Sequence, residues 1–140
     1  MNVVLYSLSE DEAGKRLQGV MEMLVPREKI EVCSTFNALS LRLHQPLENV
    51  RHIVLNASSK KDLLDIISLR DILWNVRVII VLPDRDAATT SMGHTLRPRL
   101  ISYADSDFLE VFAVLSRMIV TNDNVKDASR KYDQTHSGGH

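Results

Sequence analysis

The first stretch of this chain with the residue types for chemistry is Ser7-Leu8-Ser9-Glu10-Asp11-Glu12, directly after the apolar run Val3-Val4-Leu5-Tyr6. A phosphate or nucleotide held there would need backbone N–H groups it can approach closely, usually through glycines at a helix start. The loop has no glycine, and its three acids repel phosphate. Gly14-Lys15 falls inside the helical pattern that follows and is not a phosphate-binding loop. Ser9 with Glu12 reads as a capping box, with Glu10 and Asp11 favourably placed at the positive end of the helix. Ser7, Ser58, Ser59 and Ser91 have no G-x-S-x-G around them and read as turns and caps. Cys33 has no base to pair with and reads as a small buried residue. His44, His52 and His94 fall on different elements, and His136 and His140 lie in a Gly/Ser-rich end. No closed coordination set can be assembled from them, so all five are expected to be solvated. No catalytic residue, metal or cofactor is expected, and the chain does not read as an enzyme.

The elements that position these residues alternate regularly. Five apolar runs are separated by helical patterns: Val3–Tyr6, Lys29–Cys33, His52–Asn56, Val76–Leu82 and Arg99–Tyr103. In the second, Ile30 and Val32 alternate with polar residues, as in a half-exposed strand near an edge. The fourth is dominated by β-branched residues and reads as a central parallel strand. The helices between them carry Leu17, Val20, Met21 and Leu24; then Phe36, Leu39, Leu41 and Leu43; then Leu63, Ile66, Ile67 and Leu73. Residues 84–96 form a weaker helix, poor in helix formers. The last helix starts at Asp105 or Ser106, with an inner stripe of Phe108, Val111, Phe112, Leu115 and Ile119. This alternation predicts an α/β protein: a three-layer α/β/α sandwich around a five-stranded parallel sheet of order 2-1-3-4-5, flavodoxin-like. Residues 1–120 form the domain, and residues 121–140 read as a short helix extension followed by a disordered tail.

Composition excludes several classes. With 140 residues, 44% hydrophobic and 25% charged, the chain suits one domain with one core. No apolar run approaches the roughly 18–20 residues of a membrane span. A net charge of −1 argues against a general nucleic-acid binder. One cysteine excludes an internal disulfide, and Met1 to Tyr6 lack the pattern of a signal peptide, so a cytoplasmic protein is expected.

Five β–α units of this length, ending in Arg99-Leu100-Ile101-Ser102-Tyr103-Ala104-Asp105-Ser106-Asp107-Phe108-Leu109, resemble the receiver domain of two-component response regulators over roughly Met1 to Val120. Receivers carry an acidic pair after the first strand that binds magnesium. They have a phosphoacceptor aspartate ending the third strand, a Ser or Thr after the fourth and a Lys after the fifth. Matched onto this chain, those positions are Ser7 and Leu8, Asn56, Leu82, and Ser102 or Tyr103. None holds the expected residue. An amide is not a carboxylate nucleophile, and Ser7-Leu8 offers magnesium no anionic oxygen. The resemblance therefore implies a pseudo-receiver that signals by protein contact without taking phosphate. The alternative is a flavodoxin-like ligand-binding domain or enzyme using the strand-end crevice around Ser7, Asn56, Pro83 and Ser102.

The last helix carries more apolar surface than one sheet contact covers: Leu109, Ala113, Val114, Met118 and Val120 beside the inner stripe. Around it lie Arg97, Arg99, Tyr103, Asp105, Asp107 and Arg117. Apolar residues rimmed by both charge signs suit a self-complementary contact. Receivers pair through the face of their fourth helix, fifth strand and fifth helix, so the resemblance implies a homodimer through this face. A protein partner is expected, and neither nucleic acid nor membrane. Lys60-Lys61 read as a solvated helix start, and Trp74 as packing.

Overall fold

The computed structural model describes residues 2–120. The five expected strands form as β1 (Asn2–Tyr6), β2 (Ile30–Cys33), β3 (Val50–Asn56), β4 (Arg77–Leu82) and β5 (Leu100–Tyr103). They make one parallel sheet in the order β2-β1-β3-β4-β5. The fold is flavodoxin-like. The helices are α1 (Glu12–Glu22), α2 (Phe36–Leu43), α3 (Lys60–Ile67), α4 (Arg70–Leu73), α5 (Ala87–His94) and α6, helical from 109 to the end of the described residues at 120. The expected disordered tail lies outside the described residues.

Two cores flank the sheet because strand side chains alternate. Val3 and Leu5 of β1, Val54 of β3 and Ile79 and Val81 of β4 pack with Leu17 and Met21 of α1 and Val111 and Leu115 of α6. Val4 and Tyr6, Ile53 and Leu55, and Val78, Ile80 and Leu82 point the other way, onto helices α2 to α5. Continuous apolar runs in β3 and β4 are thereby explained by burial on both faces.

Several local expectations are corrected. Helix α1 is capped by Asp11, whose carboxylate accepts from Gly14 N–H at 3.2 Å, and Ser9 lies two residues upstream. The third helical pattern breaks into α3 and α4. The edge strand β2 is half-exposed as expected, with Ile30 and Cys33 buried on opposite faces and Val32 42% exposed. Glu31 beside it is held by Arg42 of α2 at 2.8 Å, which keeps its carboxyl below the usual range and pins the edge strand. The last helix starts later than expected. Phe108 precedes it with a left-handed φ of 63°, Ser106 Oγ accepts from Phe108 N–H, and Asp107 accepts from Leu109 N–H. Its buried stripe is Val111, Leu115 and Met118, with Phe112 and Ile119 half-buried. His52 is buried, not solvated.

A buried pair joins the sheet to α3. The Tyr6 hydroxyl donates to Asp62 Oδ1 at 2.6 Å, and Ser58 donates its N–H and hydroxyl to Oδ2 at 2.9 and 3.1 Å. Burial, then the Asp62 carboxylate beside it, push the Tyr6 phenol well above its ordinary range. A raised native value means the pair stabilises below pH ~10 and that this contribution is lost above it, as the unfolded chain ionises Tyr6. Tyr6→Phe is expected to cost about 1–2 kcal/mol at pH 7 in urea unfolding. It should leave the native tyrosinate absorbance unchanged until the protein unfolds in alkali. A larger gain of tyrosinate absorbance in the unmodified chain than in the variant, before either unfolds, would show that Tyr6 titrates in the folded state.

Candidate functional site

In open parallel sheets ligands bind beyond the carboxyl ends of the strands, near the reversal of strand order. Here that is the ground above β1 and β3, with β4 and β5 beside them. The structure does not bring the five matched positions into one pocket. Ser7 and Asn56 meet: Asn56 Nδ2 donates to Ser7 Oγ at 3.3 Å, with Ser7 7% and Asn56 1% exposed. Both lie under the first turn of α1. A Cβ at Gly14 would stand 1.7 Å from Ser7 Oγ, 2.8 Å from Ser7 Cβ and 3.2 Å from Asn56 Nδ2. Gly14 therefore lets α1 descend onto the strand ends and fill the space an anion would need. The motif reading that set Gly14 aside as no phosphate loop missed this packing role.

Leu82 points to the opposite face, where Gly93 of α5 would place a Cβ 3.1 Å from Leu82 Cδ1. Leu8 is half-buried and packs against the same core. Ser102, fully buried, donates its hydroxyl to Glu110 Oε1 at 2.9 Å and lies 3.1 Å from Ser106 Oγ. A serine beside a carboxylate has the pairing of an activated nucleophile, but no substrate reaches a buried hydroxyl. Arg16 seals this corner. Its guanidinium donates to the Ala104 carbonyl at 2.7 Å and the Ser106 carbonyl at 2.9 Å, and stacks 5.0 Å from the Phe108 ring. Among the described residues, no three His, Cys, Asp or Glu are placed to hold a metal ion.

The crevice is open in a cleft of about 490 Å3 between Pro83–Arg85 and Tyr103–Asp105. Arg85, which the sequence reading passed over, lies 4.2 Å over the Tyr103 ring and reaches Asp105 Oδ1 at 2.8 Å. Arg85 holds the Asp105 carboxyl below the usual range, and its own charge is answered by that pairing. The only sequence signal was the charge alternation Asp84-Arg85-Asp86 directly after β4.

The expected interaction face divides in two along β5. Tyr103, Asp105, Asp107 and Leu109 stand at its carboxyl end, with Leu109 68% exposed. Arg97 and Arg99 stand at its amino end, and Arg99 lines a groove of about 300 Å3 with Val114, Arg117 and Met118. Val114 is half-buried and Arg117 exposed, but Met118 is a correction. It is 9% exposed and packs inward with Leu115, so it belongs mainly to the core.

No family model and no curated protein matches this chain. No helix among the described residues is long and apolar enough to cross a membrane.

Proposed function

We propose that this chain is a pseudo-receiver: a cytoplasmic signalling module, of the two-component type, that takes no phosphate and acts by protein contact through the face of α5, β5 and α6. The reading is carried by the strand-end site. A phosphotransfer pocket needs converging carboxylates around a divalent cation and room for the phosphoryl group. Here an amide and a hydroxyl are hydrogen-bonded to each other beneath a helix that only glycine lets so close.

The contact face supports homodimer formation by its charge layout. Arg97 and Arg99 lie at one end of β5, and Asp105 and Asp107 beyond the other. A two-fold axis across the strand lays each basic end against the partner's acidic end, with Leu109 and Val114 between them. The free, buried Cys33 is compatible with a cytoplasmic module.

The test has two arms. Incubation with acetyl phosphate and magnesium, read by intact mass under conditions that preserve acyl phosphates, is expected to add no phosphoryl group. Sedimentation velocity is expected to show a concentration-dependent dimer that Val114→Asp weakens at least tenfold. A labile adduct on any aspartate, or a monomer at every concentration, would overturn the corresponding half.

A further inference from the structure

The starts of three neighbouring strands each bring an arginine to the end of the sheet opposite the strand-end crevice. Arg51 lies in β3 and Arg77 opens β4, with Arg77 paired in register to His52 next to Arg51. Arg99 immediately precedes β5, and its N–H donates to the Val78 carbonyl at 2.7 Å. Adjacent strands run about 4.8 Å apart, so arginines on neighbouring strands fall within the roughly 8 Å screening length of physiological salt. Arg97 joins them along one cleft of about 500 Å3, in which Glu48 is the only acid. The ion pairs among the described residues use Arg27, Arg42, Lys60 and Arg85, and none uses these four arginines. Four arginines against one acid in one concavity, on a chain of net charge −1, leave an excess of positive charge that a bound anion would offset.

Arg97 adds an independent sign. Its φ is 52°, in the left-handed region where glycine carries no strain. The strained arginine lays its guanidinium 4.2 Å over the ring of Trp74, at the cleft wall. Glycine there would relieve the backbone and remove the charge. Arg77 and Arg99 also line the neighbouring groove with Arg117, so the basic surface continues past the cleft.

We propose that this cleft binds a linear chain of phosphates, either free or as the triphosphate of a nucleotide. Guanidinium forks match pairs of phosphate oxygens, and arginines spaced along several strands suit several phosphates in a row better than one. A cleft of this size takes a small molecule. The inference does not rest on the pseudo-receiver reading or on phosphodonor labelling; Arg97 and Arg99 also lie on the proposed dimer face, so the titration is read at a concentration where the chain is monomeric.

Trp74 is the single tryptophan of the chain, so its emission reports the cleft directly. The full chain is titrated with tripolyphosphate, adenosine triphosphate and orthophosphate, with calorimetry as a second readout. Tripolyphosphate is expected to give a saturable change, at least tenfold tighter than orthophosphate and weaker in high salt. Arg77→Gln with Arg99→Gln should lose at least tenfold, and the exposed Arg99→Gln alone should lose several-fold with an unchanged melting curve. Arg27→Gln, paired with Glu22 elsewhere, should bind as the unmodified chain does. Equal affinity for tripolyphosphate and the nucleotide means the phosphate chain is recognised alone, and tighter nucleotide binding means the nucleoside is held too. No saturable change at millimolar tripolyphosphate, or undiminished binding by the double variant, would overturn the proposal. So would a single-stranded oligonucleotide that binds more tightly than tripolyphosphate, since that favours an extended backbone over a small anion.

Discussion

Gly14→Ala is expected to cost about 3 kcal/mol of stability and lower the melting temperature by roughly 10 °C. The reason is local. The new methyl would lie 1.7 Å from Ser7 Oγ and 2.8 Å from Ser7 Cβ. Rotating the hydroxyl away relieves the first clash and leaves the second, so α1 must lift from β1. Alanine's helix advantage of about 1 kcal/mol over glycine offsets only part of that. Gly19 in the same helix is the control, because nothing lies within 4 Å of its added Cβ. Gly19→Ala is expected to stabilise by up to about 1 kcal/mol. Ser7→Gly removes both clashing atoms, so combining it with Gly14→Ala should recover most of the loss in a double-mutant cycle. If Gly14→Ala melts like the unmodified chain, α1 does not close the strand ends, and the argument for a filled site falls with it.

The sheet was legible because burial on two faces writes itself into the sequence. Val76–Leu82 admits little but a central strand, and the spacing of Leu17 and Met21 fixes which side of α1 faces it. Five such runs with short crossovers fit a doubly wound, flavodoxin-like sheet of order 2-1-3-4-5, the order the sheet adopts. Element ends were less legible. Ser9, Asp11, Asp105 and Asp107 are all able to accept from a helix N–H, and the choice among them depends on where the chain leaves the sheet. Phe108 shows why: its burial under Arg16 holds it in a left-handed turn that no local preference of phenylalanine predicts.

The site was legible as a set of substitutions and illegible as a shape. Matching positions shows that Ser7, Asn56 and Ser102 cannot do the work of carboxylates and a lysine. It does not show that Leu82 turns to the other face, or that Ser102 finds Glu110 eight residues on. Periodicity likewise gives each arginine a place on its own element. The gathering of Arg51, Arg77 and Arg99 depends on strand register, a relation between segments far apart in the chain. Asp62 was invisible for a different reason. A carboxylate next to two lysines looks solvated, until Tyr6 reaches it from 56 residues away.

Asn56→Asp separates a filled site from a merely vacant one. The substitution restores the residue type expected of a phosphoacceptor, at a position only 1% exposed. Arg16 is committed to the Ala104 and Ser106 carbonyls, and Lys60 to Asp86. The new carboxyl meets Ser7 Oγ and little else, so burial favours its neutral form and raises its native pKa. The sign follows from linkage. Where the folded value lies above the unfolded value of about 3.9, the variant is least impaired in acid and loses stability as pH rises between the two values. Urea unfolding is expected to show a deficit of about 3 kcal/mol at pH 7.5, shrinking to under about 1 kcal/mol near pH 4. With acetyl phosphate and magnesium the variant should stay unlabelled, because Ser7 and Leu8 give the cation no carboxylate to share. A variant as stable at pH 7.5 as at pH 4 would mean that water already reaches Asn56. Labelling would mean that the scaffold had kept a working pocket and lost only its acceptor.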